Sequence, residues 1–366
     1  MSIPVRIFGL LGWMIAGMVA AQGPVPKDSP QVVIPEGTAA PRFADREVIG
    51  VDELPPELIG KGDRLITRII EGEYLLLAVR GLPQTYALSG TVPQLGPMGG
   101  TQTIPSGYES GFRVGFGWRL ADSGADSVIR YTYYSNQSDT SVASPGIINP
   151  DPLALSIPPR NVYPTLTVPG LVAAVVSANA QSNVTFNLAD FEIGQTIKPF
   201  DWSESLNLRF FAGARFANMS QNLTATYNGG DVDFDTVRRK ITFNGGGLRL
   251  GGSIENSFSG NWGYRFTGSA SLITGAFAGS QSEVANNAYI LAITDKYVGI
   301  VPMTDLGLAV TYRHGGWNLS IGYEFQNWFN MLQGFNIVDD ANPAKLIREI
   351  GSIGFDGMAL RAEYVW

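Results

Sequence analysis

Cysteine is absent from this chain of 366 residues, so disulfides, thiolate metal sites and cysteine nucleophiles are all excluded. A single histidine, His314, removes most zinc chemistry as well. Only 16% of residues are charged, the net charge is -7, and no basic run occurs, which argues against a nucleic-acid partner. Beyond residue 21 no window approaches 18 consecutive apolar residues, so no helix is expected to cross a membrane. Any membrane passage must then use strands closed into a barrel, because only a closed sheet satisfies its backbone in lipid.

The first 21 residues carry one basic residue, Arg6, then an apolar run from Ile7 to Ala20 with small residues at Val19 and Ala21. This reads as a secretory signal peptide (residues 1–21) cleaved after Ala21, since the run is shorter than the ~20 residues a spanning helix needs. Residues 22–68 hold Pro24, Pro26, Pro30, Pro35, Pro41, Pro55 and Pro56 without periodicity, and read as an irregular periplasmic lead-in.

What is abundant is glycine, with 44 residues, and aromatics, with 14 Tyr, 19 Phe and 7 Trp. From residue 69 to 366 the dominant period is two, the mark of strands with one apolar and one polar face. Phe112, Val114, Phe116, Trp118 and Leu120 alternate with Arg113, Gly115, Gly117 and Arg119; the pattern returns around Phe210, Trp262 and Trp317. The fold class expected is all-β: a transmembrane antiparallel up-and-down barrel of about ten strands, or twelve if the connection 137–182 hides a further hairpin. The strands are expected near 70–80, 107–120, 126–136, 183–197, 203–218, 237–256, 261–279, 298–314, 316–331 and 352–366. Short connections then alternate with long ones at 81–106, 137–182, 219–236, 280–297 and 332–351, which suggests short periplasmic turns and long outer loops. Trp118, Trp202, Trp262, Trp317 and Trp366 fall in the apolar phase at the short-turn end, as an interfacial girdle would.

Three segments break the pattern. Residues 71–79 turn apolar on both faces, and 184–197 changes phase near Leu188. Gly245, Gly246 and Gly247 separate the phase of Ile241 and Phe243 from that of Leu248 and Leu250. A bulge is the expected cause in the second and third of these.

Four stretches carry a further resemblance: Phe210-Phe-Ala-Gly-Ala-Arg-Phe-Ala217, Phe243-Asn-Gly-Gly-Gly-Leu-Arg-Leu-Gly-Gly252, Val301-Pro-Met-Thr-Asp-Leu306 and Trp317-Asn-Leu-Ser-Ile-Gly-Tyr-Glu-Phe-Gln-Asn-Trp-Phe-Asn330. Over roughly residues 184–366 the chain resembles the Legionella-type major outer-membrane proteins, a pore-forming barrel family. The resemblance implies residence in the bacterial outer membrane and passage of small solutes. Members of that family can rely on cysteine cross-links, which this chain lacks. The ending Leu360-Arg-Ala-Glu-Tyr-Val-Trp366 looks like the terminal strand read by barrel-insertion machinery.

Catalysis finds little footing. The glycine-rich stretch 244–252 has no following Lys-Ser or Lys-Thr, so it reads as strand packing rather than a phosphate loop. His314 lies in an expected tight turn without a nucleophile beside it, and Asn228, Asp231, Asp233 and Asp235 lack the glycine and glutamate placement of a calcium loop. No enzyme activity, metal or cofactor is expected.

The polar phase carries the functional signal. Arg113, Arg119, Arg130, Arg209, Arg215, Arg249, Arg265 and Arg361 share it with Asp190, Glu192, Asp305, Glu324 and Glu363. Facing lipid, a charged group at mid-depth costs up to ~2–4 kcal/mol, so these groups are expected to line the lumen. Two readings follow: a small, weakly selective pore for solutes or ions, or a salt-bridged structural barrel that works through its outer loops at 137–182 and 280–297. The expected partners are outer-membrane lipid, the insertion machinery and small solutes or ions, and homo-oligomers stay open.

Overall fold

The structure, a computed structural model, describes residues 66–82, 84–90, 99–120, 123–144, 162–199, 205–337 and 346–366. The signal segment and nearly all of the proline-rich lead-in lie outside them. Among the described residues thirteen strands follow one another, and ten close into a ring: β1 (Ile66–Arg80), β4 (Tyr108–Leu120), β5 (Ala125–Ala143), β7 (Ser177–Ile197), β8 (Leu206–Gly229), β9 (Val232–Ser259), β10 (Trp262–Ala285), β11 (Ala288–His314), β12 (Trp317–Ile337) and β13 (Leu346–Val365). All pairs are antiparallel, and β1 closes the ring by pairing with both β4 and β13. The remaining strands, β2 (Thr85–Ser89), β3 (Gly100–Thr103) and β6 (Val162–Pro164), form a separate small sheet in the order β3-β2-β6. The barrel therefore has ten strands rather than twelve. Within 137–182, β5 runs on to Ala143 and β7 starts at Ser177, while β6 joins the small sheet.

Alternation places each outward belt. On β8 Leu208, Phe210, Ala212, Ala214 and Phe216 face out, a run that matches the ~9–11 residues of a tilted membrane strand. The belt ends in polar side chains. Tyr131 donates to Asn187 (2.7 Å), Asn187 to Asn218 (3.2 Å) and Asn218 to Asn244 (2.5 Å), a ladder across β5, β7, β8 and β9. At the opposite edge, the end with the short turns, Trp118, Trp262, Trp317 and Trp366 are exposed outward. Trp202 lies outside the described residues.

Two of the connections expected to be long loops are strand instead. The residues 219–236 and 280–297 continue β8, β9, β10 and β11 past the belt, joined by tight turns at Gly229-Gly230 (φ 75° and 84°) and Asn286-Asn287 (φ 48° and 66°). At the β10–β11 turn both central residues, Asn286 and Asn287, are left-handed, which suits a two-residue hairpin; at the β8–β9 turn Gly230 is central and Gly229 is the last paired residue, opposite Val232, beside a register shift. The barrel thus stands clear of its belt at this far end, where the small sheet closes on it as a lid. Tyr227 donates its hydroxyl to the Tyr86 carbonyl (2.7 Å) and Glu283 accepts from the Val168 amide (2.7 Å). Asp231 accepts from the amides of Ala173 and Ala174. Tyr86, Val162, Val175, Tyr227 and Val237 form an apolar core under the lid.

The sequence puts the short turns in the periplasm, which sets a direct expectation. A cysteine at Tyr289, beside the exposed Asn286-Asn287 turn, is expected to react with an impermeant maleimide on intact cells, whereas one at Asn261 is expected to stay unlabelled. Labelling in the reverse pattern would turn the barrel over.

Candidate functional site

The inward phase of all ten strands converges on the lumen, and it divides into two zones. Nearest the short turns lies a charged vestibule of about 530 Å3, lined by nine arginines and nine carboxylates. Every barrel strand supplies at least one of them. Arg113, Arg119, Arg130, Asp190, Glu192, Arg209, Arg215, Arg249, Arg265, Asp305, Glu324, Arg361 and Glu363, the residues singled out from the sequence, all line this space. Asp126 does too, missed because the expected strand began at that residue although it shares the phase of Val128 and Arg130.

These charges are tied to one another across the wall and the lumen. Glu192, fully buried, meets Arg130 (2.6 Å), Arg209 (3.3 Å) and Arg249 (3.4 Å). Arg215, 2% exposed, grips Asp190 through two hydrogen bonds of 2.6 and 2.8 Å and reaches Asp305 (2.8 Å), while Arg249 also binds Asp190. Such forked pairs fix geometry as well as charge. Arg113 holds Glu73 and, with two 3.0 Å bonds, Glu324 on the far side of β1 and β13. Glu71 binds both Arg130 and Arg361, and Arg361 also binds Glu363 (2.5 Å). Toward the short turns, Arg265 and Arg313 share Glu255. The guanidiniums of Arg209 and Arg249 both lie over the Phe211 ring, at 4.9 and 5.4 Å, in cation–π contact. Arg119 points into the same space with its Nε unpartnered among the described residues.

Beyond the vestibule the lumen is closed by apolar side chains. Phe186 on β7 meets Phe355 on β13 edge to face (4.7 Å between ring centres) and approaches Trp328 on β12 (5.9 Å), while Tyr134 on β5 also reaches Phe355 (5.6 Å). In a ring of ten, β7 and β12 are diametrically opposed, so these contacts span the bore. Leu75 on β1, Met219 on β8, Phe243 on β9, Phe277 on β10 and Met303 on β11 join this septum, as does Leu188 on β7 itself. It lies level with the lid-side rim of the belt, since Phe186 adjoins Asn187 and Phe355 adjoins Asp356.

The septum accounts for all three segments that broke the sequence pattern. Leu75, Leu77 and Val79 continue the inward phase of Glu71 and Glu73; Val184, Phe186 and Leu188 continue that of Asp190 and Glu192; Ile241 and Phe243 continue that of Arg249. The bulges expected at Leu188 and at Gly245–Gly247 are absent, and both strands keep one register through these points. Gly245 has another role: a Cβ there would lie 2.7 Å from the Phe243 ring and 2.9 Å from Ile273.

Past the septum β12 leaves the wall. Its pairing with β11 ends at Trp328, Asn330 takes φ 57°, and the register with β13 shifts between Trp328 and Met331 and again between Leu332 and Gly334. Met331, Leu332 and Phe335 are buried inside the bore. His314 is the last residue of β11, paired with Trp317 across the Gly315-Gly316 turn, and among the described residues no three His, Cys, Asp or Glu side chains gather as metal ligands.

Residues 78–366 match the family model described as the Legionella pneumophila major outer membrane protein precursor, which extends the resemblance seen in the C-terminal half. No curated protein matches the sequence. Among solved structures, a FadL homologue of Pseudomonas aeruginosa is 8% identical, with 82% of this chain and 90% of that chain covered and a TM-score of 0.22. The CymD monoaromatic hydrocarbon channel is 7% identical, covers 82% and 88%, and scores 0.27. OmpT of Vibrio cholerae is 11% identical, covers 82% and 97%, and scores 0.13. At these scores the likenesses carry no weight for function.

Proposed function

Because the chain belongs to the Legionella pneumophila major outer membrane protein family and its place is therefore the outer membrane, we propose that the barrel passes small solutes or ions through a narrow lumen that rests closed at the septum. The vestibule carries this reading. A barrel needed only as an anchor gains nothing from keeping about 530 Å3 of charge-lined space through its membrane-spanning half. With nine arginines against nine carboxylates the lining is balanced, and selectivity in such pores follows rings of one charge sign. Conductance is thus expected to be small and weakly selective.

Planar-bilayer recording tests the proposal. Wild-type protein is expected to give small steps with a reversal potential near zero in a salt gradient. Arg313→Glu, at a position 42% exposed near the short turns, is expected to shift that potential toward cations without loss of folding. The septum favours a second reading, a sealed barrel that serves through its lid and far-end surface. Folded wild-type protein that never conducts, at any voltage, establishes that second reading.

A further inference from the structure

The barrel wall has a missing stretch. On its β10 side β11 is paired from Ala288 to Tyr312, but on its β12 side only from Met303 to His314. Among the described residues no strand pairs with that side of Ala288–Pro302; side chains alone reach this stretch from β12 and β13, Asn330 at the Ile300 carbonyl (3.5 Å) and Arg348 at Asp295 (2.6 Å). A long, open, partly apolar edge, with Val298 72% and Ile300 54% exposed, is a feature that barrels exist to avoid. The strand that belongs there is the outer half of β12, which instead lies across the bore with β13.

That half is held inside by side chains rather than by a ladder. Gln221 on β8 donates to the Leu332 carbonyl (3.1 Å), and Arg239 on β9 donates to the carbonyls of Gln333 (3.3 Å) and Phe335 (3.4 Å). Gly279 on β10 leaves the room that the Phe335 ring fills, since a Cβ there would stand 2.5 Å from it. From β13, Arg348 grips Asp295 on β11 (2.6 and 3.0 Å) and covers the Tyr297 ring (4.1 Å). The bend sits at the left-handed Asn330 and the register shifts beside it.

We propose that the outer half of the β12–β13 hairpin is a hinged strap that exchanges between the bore and the free edge of β11. Continuing the register Met303↔Trp328 past the hinge pairs Ile300 with Met331, Val298 with Gln333 and Lys296 with Phe335. The edge is long enough to receive every residue of β12 up to Ile337. Alternation then turns Met331 and Phe335 outward, so the swing removes two apolar side chains from the bore as it completes the wall. The strap stands on the wall geometry rather than on the passage reading.

The absence of native cysteine makes trapping clean. In the bore, Gln333 binds the carbonyls of Gly81 and Ser352 at the β1–β13 seam, away from β11. On the completed wall, Val298 and Gln333 would face each other at the ~4.5–5.5 Å Cα spacing that a disulfide accepts. The double variant Val298→Cys/Gln333→Cys, folded in membranes and treated with copper phenanthroline, is expected to form an intramolecular disulfide, and adding Arg348→Gln is expected to speed it several-fold. Tyr289→Cys/Gln333→Cys, out of register, is expected to form none. No bond in the first pair, while Thr304→Cys/Asn327→Cys in the existing register closes readily, overturns the strap; so does a disulfide between two chains, which would make the edge a contact between copies. If the bond forms and conductance is still never seen, the strap stands and the passage reading falls. If wild type conducts and no bond forms, the reverse holds.

Discussion

Glu192→Gln is expected to destabilise the folded barrel by about 3–5 kcal/mol, the range for removing one partner of a buried ion pair. The side chain is wholly enclosed, and three guanidiniums from β5, β8 and β9 converge on it. The substitution keeps the shape and removes only the charge. It leaves Arg209 with Asp126 and Arg249 with Asp190 and Asp305, but it strips the group that links all three arginines. Urea unfolding in lipid vesicles reads the loss, and Arg249→Met in the same chain is expected to restore part of it, because the double variant removes charge of both signs. The altered lumen also carries nine positive groups against eight negative, so any current is expected to lean toward anions. A midpoint that moves by less than 1 kcal/mol-equivalent would mean that the buried network is a minor contributor to stability.

The septum sets the second large effect. Phe186→Ala removes the ring that touches Tyr134, Trp328 and Phe355 together, at 5.3, 5.9 and 4.7 Å, and is expected to cost about 3–5 kcal/mol, as large-to-small changes of buried Phe do. Phe355→Ala is expected to cost a similar amount, and the pair together less than the sum, since each ring packs on the other. In bilayers both variants are expected to give steps several-fold larger than wild type. Unchanged steps in a folded double variant would place the resistance elsewhere in the bore, with the infolded β12 segment as the remaining barrier.

Much of the wall was legible because alternation is a local property. All ten barrel strands, the outward exposure of four described tryptophans and the inward placement of thirteen charges follow from period two alone. What period two does not report is how far a phase stays polar. Inward residues were recognised while they were arginine or glutamate, and misread as a bulge once they became Val184, Phe186 and Leu188. Holding the phase constant along each strand would have revealed the septum, and Trp328, in the phase opposite to the girdle, was its clearest sign. The expected outer loops failed for a related reason. Residues 280–297 lack a lipid-facing stripe because they have left the lipid, although Asn286-Asn287 marks a hairpin. The lid depends on pairings between β2, β3 and β6, over sixty residues apart at the widest, and no local pattern announces them.

The continuation of β8–β11 past the asparagine ladder has a consequence of scale. From Asn244 back to Val232, at ~3.3 Å per residue and a strand tilt of about 40°, β9 rises roughly 30 Å above the belt. If the short turns face the periplasm, that rise lifts the lid through the innermost sugars coating a Gram-negative surface. Bulky agents such as antibodies would then meet the Asn286-Asn287 turn and the lid first, whereas the ladder and the free edge near Ile300 would lie in the steric shadow of the coat, within reach of small reagents alone.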